Sequence, residues 1–356
     1  MKIIGIDPGT KSFDFFGKDD GNILIDLSVP SREVAKRPEV ILDTVKKKTP
    51  LDIIVGPSGY GLPLTNIADA GEKELNLILP VEYGDVSVNE GIKRVFRLMK
   101  TEGLPVCLTP GVIHLPTVPA YRKTNKLDMG TADKVCCVAL GIKDQAERMR
   151  IPYGETCFIL VEIGYGFTAV IAVNKGQIVD GIGGTEGGPG FLSPGGMDAE
   201  LAIRFGRKPQ SVLFTGGARD MSGEVDITPE VMAGSPVTYS DSWMMLIEGI
   251  VKDVAAMIVS LGGAKEILLS GRLSRIPRIW KELSKRLSKY ASVRPVTREA
   301  KIAKEAAEGA YILGEGLLGG RHSEIVNCLS IRQSAGTMYD YVKCSVREDI
   351  RLGGGD

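Results

Sequence analysis

Ile3-Ile4-Gly5-Ile6-Asp7-Pro8-Gly9-Thr10-Lys11, leading into Ser12-Phe13-Asp14-Phe15-Phe16, is matched in mid-chain by Phe158-Ile159-Leu160-Val161-Glu162-Ile163-Gly164-Tyr165-Gly166, leading into Phe167-Thr168. Each stretch is a short apolar strand that ends in an acid, then a glycine-bearing turn, then a second strand. A further turn, Gly17 to Gly21 in one copy and Asn174-Lys175-Gly176 in the other, leads to a third strand at Ile23 to Leu27 and near Ile178 and Val179. Glu162 follows Asp7 by 155 residues, and the same spacing carries Gly9 onto Gly164, Gly21 onto Gly176 and Ile23 onto Ile178 without a gap. Turns favour glycine and strands favour Val, Ile and Phe in any protein, so two hairpins can look alike by chance. Acid and both glycines in one register instead point to an internal repeat, and so to two similarly built halves.

The chemistry of such a pair is that of a phosphate clamp. A turn without Cβ atoms lets backbone N–H groups approach phosphate oxygens. A carboxylate at the end of the preceding strand can hold Mg²⁺ directly or through water and so offset polyphosphate charge. Two such turns facing each other could grip the β- and γ-phosphates of ATP from both sides.

Asp7-Pro8-Gly9-Thr10-Lys11 resembles the first phosphate motif of the actin-like, sugar-kinase and acetate-kinase superfamily, and Glu162-Ile163-Gly164-Tyr165-Gly166-Phe167-Thr168 resembles its second, with Glu162 where the family usually has Asp. The resemblance implies an α/β fold of two ribonuclease H-like domains with a nucleotide cleft between them, and ATP and Mg²⁺ as cofactors. By this resemblance Asp7 and Glu162 would be the metal ligands, and Gly9, Thr10, Lys11, Gly164, Tyr165, Gly166 and Thr168 would line the phosphates. Order and content of the pieces over most of the chain also look like a largely archaeal family described as predicted butyrate kinases, which implies transfer to a short-chain carboxylate.

Between the hairpins, Asp52 to Gly56 reads as a buried strand whose exit, Gly56-Pro57-Ser58-Gly59-Tyr60-Gly61, is either a connector or a substrate loop. Tyr121 to Lys134 is polar and basic and precedes an apolar helix, Ala132 to Leu140, with Thr131 expected as N-cap. Asp133 in its first turn can serve the helix dipole, or it can act as a general base while Arg122, Lys126 or Lys134 neutralises an anionic group. Gly130-Thr131-Ala132-Asp133-Lys134 is similar to the GxDR motif of type III pantothenate kinases, where the acid lies at the phosphoryl acceptor. Gly181 to Gly190 is glycine-dense, so either the backbone there is mobile or it lines a cleft, with Gly183 and Gly184 as its contacts.

Helices are expected over Ser31 to Lys48 with Ser31 as N-cap and Pro38 either near its start or breaking it, over Asn89 to Thr101, over Ser240 to Leu261, over Ile276 to Tyr290 and over Glu299 to Leu317. Ala306, Ala307, Gly309 and Ala310 suit the last to close packing, either as a helix that joins the domains or as an ordinary core helix. Ile267-Leu268-Leu269-Ser270-Gly271-Arg272 resembles the superfamily's adenosine motif, which would make Gly271 and Arg272 nucleotide contacts. Val212 to Thr215 with Gly216-Gly217-Ala218-Arg219 is a second candidate for it. The expected division is 1–150, 151–320 and a tail, 321–356, whose end from Gly353 to Asp356 should fray.

Composition narrows the classes. A chain of 356 residues with 43% apolar and 25% charged residues can bury two large cores. Lys plus Arg equals Asp plus Glu at 44 each, so no overall positive field favours nucleic acid or an anionic membrane. No secretory signal or membrane-length apolar run is apparent, so a cytoplasmic location is expected. The six cysteines form no CxxC pair, and His114 and His322 have no metal-ligand spacing. The expected function is an ATP-dependent small-molecule kinase, possible as a homodimer. Its acceptor would be a short-chain carboxylate oriented by Arg122 and Lys126, or a small alcohol with Asp133 as base. An actin-like regulator with slow ATPase activity is the alternative.

Overall fold

The computed structural model describes residues 1–57, 59–78, 88–206 and 210–344. Ser58 of the glycine-rich exit loop and the fraying expected at Gly353 to Asp356 lie outside the described residues. Two mixed sheets form the frame. The first orders its strands β3-β2-β1-β4-β6-β5, from β1 (Lys2–Pro8), β2 (Ser12–Asp19), β3 (Asn22–Pro30), β4 (Ile53–Pro57), β5 (Thr65–Asn66) and β6 (Val106–Thr109). The second orders them β11-β10-β7-β8-β9, from β7 (Cys157–Ile163), β8 (Thr168–Asn174), β9 (Gln177–Ile182), β10 (Glu266–Ser270) and β11 (Ser292–Pro295). In each, an antiparallel three-stranded hairpin is followed by two parallel strands on the side of its first strand.

The repeat extends to register. Lys2 pairs with Asp19, and Cys157 with Asn174. A bulge falls between Gly17 and Lys18 in one sheet and between Ala172 and Val173 in the other. The turns after β2 and β8 place Asp20 and Gly21 at φ 44° and 88°, and Lys175 and Gly176 at φ 52° and 70°. Positive φ at both central residues is what a two-residue hairpin needs to match the twist of its strands, and it fixes the pairing that follows.

Alternation along β1 and β7 sorts side chains to two sides. Ile3 and Phe158 join a central core with the helices Ala132–Met149 and Glu305–Leu317, while Ile4, Ile6, Ile159 and Val161 face the outer cores of their own sheets. The two central helices are thus sandwiched between the sheets. Gly309 lets them touch, since a Cβ there would come within 1.8 Å of the Cys136 carbonyl oxygen. The outer core of the second sheet is closed by the helix Ser240–Leu261.

Several local expectations change. The helix expected over Ser31 to Lys48 is two, Ser31–Lys36 and Glu39–Lys46, because Pro38 breaks it. Ser31 is not its cap: Pro30 holds that position, and the Ser31 hydroxyl donates to the Gly9 carbonyl at 2.7 Å. Thr131 does occupy the N-cap position of the helix at 132–149, but its hydroxyl donates to Asp133 Oδ1 instead of accepting from the helix backbone. The helix expected from Glu299 begins at Glu305. Residues 299–303 stay outside the helix because carboxylates satisfy their backbone: Glu308 accepts from the N–H groups of Glu299 and Ala300, and Asp26 from those of Lys301, Ile302 and Ala303.

The segment after Gly319 is folded through Cys344. Its helix Ser323–Cys328 puts Cys328 against Gly176. Ser334 then accepts from the Leu64 N–H at 2.8 Å, and the Tyr341 hydroxyl bonds the Lys123 ammonium at 3.2 Å, so the strap touches both halves. The six cysteines are free thiols. No helix among the described residues is long and apolar enough to cross a membrane.

Candidate active site

The C-terminal ends of β1 and β7, from the two sheets, and the N-termini of the two central helices line a single cavity of about 230 Å³. Asp7 and Glu162 stand at the strand ends, and both are almost wholly buried. Each turn closes in the same way: Gly9 N–H donates to the Ser12 carbonyl at 3.0 Å, and Gly164 N–H to the Phe167 carbonyl at 2.9 Å. Two long helices aiming their N-termini at one space favour an anion there.

The charges are uneven. Lys304 Nζ lies 2.6 Å from Asp7 Oδ2 and 3.3 Å from Asp14 Oδ2. Lys134 Nζ lies 2.6 Å from Asp133 Oδ2 and 3.3 Å from Glu162 Oε2. Four carboxylates therefore share two ammonium groups in a desolvated space. Burial pushes the Glu162 carboxyl above its ordinary range against the pull of Lys134, and its Oε2 accepts no hydrogen bond. Burial likewise raises Asp7, with Asp133 and Asp14 adding to it and Lys304 opposing. For Asp133 burial works upward too, but the charge and hydrogen bond of Lys134 and the Thr131 hydroxyl outweigh it and hold the group low, hence ionised at neutral pH. Both lysines stay charged, because their carboxylates outweigh the cost of burial.

Excess negative charge, with Glu162 Oε2 held only by the Lys134 ammonium at 3.3 Å, fits a divalent cation. Among the described residues no group of three or more His, Cys, Asp or Glu side chains could hold a metal by itself. Asp7 and Glu162 would therefore hold Mg²⁺ together with phosphate oxygens and water, the way this ion is ordinarily bound beside nucleotides.

Of the other residues marked from sequence, Thr10, Lys11, Tyr165, Gly166, Gly184, Gly271 and Arg272 line the cavity. The tips of the two turns meet: the Lys11 ammonium lies 4.0 Å from the Tyr165 ring centroid, and Arg272 donates to the Ser12 hydroxyl at 3.2 Å. Thr168 is buried at the start of β8 and Gly183 sits against Asp128, but neither lines the cavity. Arg122 and Lys126 do not line it either. Arg122 donates to the Val179 carbonyl at 2.7 Å and pairs with Asp180 at 3.6 Å, and Lys126 pairs with Glu186 at 2.7 Å. The second adenosine candidate forms a short 3₁₀ turn, Gln210–Phe214, and contributes Leu213 and Phe214 to the lining.

Sequence reasoning missed Lys304 and Asp128 as parts of this cavity, and Asp14 as a partner of Lys304. Asp128 is buried, accepts from Gly130 N–H at 2.8 Å, and is pushed above its ordinary range by that burial. A signal for it existed in the polar segment before the helix; none existed for Lys304, whose neighbours in sequence read as helix.

The family model described as "Protein of unknown function (DUF1464)" matches residues 5–344. The chain belongs to that family. No curated protein matches it in sequence. Among solved structures, this DUF1464 chain is similar to the acetate kinase of Entamoeba histolytica, with a TM-score of 0.62 at 12% identity over 90% of this chain and 100% of that one. It is also similar to the propionate kinase of Francisella tularensis (0.61, 13%, 85% and 98%) and to the acetate kinase of Porphyromonas gingivalis (0.60, 14%, 87% and 98%). At such identity the likeness is one of fold: the DUF1464 chain shares the α/β fold of these acetate and propionate kinases.

Proposed function

We propose that the chain transfers the γ-phosphoryl group of ATP to a small-molecule acceptor in the cleft between its two sheets. The observation that carries this reading is the pairing of Asp7 and Glu162, equivalent in the repeat, each at a strand end beside a glycine turn, on one anion-favouring cavity. Asp7 and Glu162 would hold Mg²⁺, whose charge would offset that which builds up during transfer. Gly9, Gly164 and Gly271 present backbone to the phosphates, and Arg272 stands beside Ser12 where it can pair with them.

Asp133 favours a hydroxyl acceptor. An ionised carboxylate facing the cavity can orient a hydroxyl and take its proton as the acceptor oxygen bonds to phosphorus, with the electron pair of the broken P–O bond going to ADP. Of the groups expected to orient a carboxylate acceptor, Arg122 and Lys126 are engaged outside the cavity, while Lys11, Lys134, Arg272 and Lys304 line it. The second reading, a short-chain carboxylate acceptor, is favoured by the fold shared with acetate and propionate kinases.

The deciding experiment measures ADP release from ATP and Mg²⁺ with a panel of small alcohols and carboxylates. Stimulation by a member of either class supports a kinase and names its class. Turnover indifferent to every acceptor would instead support a nucleotide-driven regulator.

A further inference from the structure

Lys304 carries a burden of contacts that a surface lysine does not. Its ammonium lies against the first glycine turn so closely that a Cβ on Gly9 would come within 2.3 Å of Nζ. Asp7 and Asp14 flank it from the two strands of the hairpin. The ammonium therefore forms the floor of the turn and opens onto the cavity.

The approach to this position is tied down from two directions. Asp26, on β3, accepts from three successive backbone N–H groups at Lys301, Ile302 and Ala303. Glu308, on the helix, accepts from the two before them at Glu299 and Ala300. Five consecutive N–H groups are thus bonded to carboxylates in a segment that a plain connection would leave to water. Each such bond to an ionised acceptor is stronger than a neutral one, and together they deliver Lys304 to one place.

We infer that Lys304 is the cation that contacts the transferred phosphoryl group. On nucleoside triphosphate binding, its ammonium exchanges one carboxylate oxygen for an oxygen of the terminal phosphate lying in the first turn. This rests on the phosphotransferase reading, since it needs a triphosphate in the cleft. The competing role is structural: an ammonium that only neutralises Asp7 and Asp14 would matter to folding and not to which nucleotide binds.

The two roles separate by the ratio of ATP to ADP affinity. Isothermal calorimetry on the full chain with Mg²⁺-ATP and Mg²⁺-ADP is compared for the native protein, Lys304→Met and Lys304→Gln, with near-ultraviolet circular dichroism as the check on folding. Loss of a charge-assisted contact to the terminal phosphate should weaken ATP binding about 30-fold and ADP binding less than about threefold. Gln keeps a polar head, so it serves if Met prevents folding. Equal loss for both nucleotides, or no loss in a folded variant, overturns the assignment of Lys304 while leaving the phosphotransferase reading intact. A native protein that binds neither nucleotide overturns both.

Discussion

Gly271 and Glu162 are in such close apposition that a methyl group on the glycine would come within 2.4 Å of the glutamate Oε1. Gly271 also has φ +87°, a conformation that other L-residues resist. β10 thus ends by packing its backbone onto the acid of the second turn, which fixes where that carboxylate points. Gly271→Ala should destabilise the protein by about 2 kcal/mol or more through strain and displacement of Glu162. Urea unfolding of the variant checks this.

Asp7 and Glu162 should be needed for the magnesium-dependent part of nucleotide binding. With ligand at about 100 times its dissociation constant, binding stabilises the native state by about 2.7 kcal/mol and raises the melting temperature. In Asp7→Asn and Glu162→Gln the rise produced by ATP with Mg²⁺ should shrink to that produced by ATP with EDTA. Thermal-shift assays in the two buffers read the difference.

Asp133→Asn should lower phosphoryl transfer to a hydroxyl acceptor by about 10² to 10⁴, the range for loss of a general base, with ATP affinity nearly unchanged. Steady-state turnover and nucleotide titration on the same preparation separate the two effects. Full activity in this variant would remove Asp133 from the base role and favour a carboxylate acceptor.

Asp253, on the helix Ser240–Leu261, accepts from the Gly188 N–H at 2.8 Å, and burial pushes its carboxyl up to about 6. A raised carboxyl favours the protonated native state, so its contribution is complete below about pH 4 and is lost as pH rises through about 6. Relative to Asp253→Asn, the native protein should lose about 2 kcal/mol between pH 4 and pH 7, after allowance for partial solvent screening. Denaturant titrations at several pH values test the sign, which would reverse for an ordinary surface ion pair.

The repeat was legible because what encodes it is local. Acid, glycine turn, strand and second turn follow one another within some twenty residues, and each demands its residue types whatever lies across the molecule. Asp20-Gly21 and Lys175-Gly176 set the hairpin registers from their own backbone angles, so the common offset survived into matching bulges. Helix starts were less secure. Glu299 to Lys304 has helical composition, and what keeps it out of the helix is Asp26, more than 270 residues away in sequence from the N–H groups it binds.

Sequence alone determined two copies of a phosphate-type hairpin, the acids that end their first strands, and the strand that carries Gly271, since neighbours along the chain impose these. Tertiary structure decided which charges meet at the cavity: it brought Lys304 in between Asp7 and Asp14 and turned Arg122 and Lys126 onto Asp180 and Glu186. The reason is that partners for a charged side chain are set by which strand ends and helix ends converge, and convergence over hundreds of residues depends on packing of the whole core.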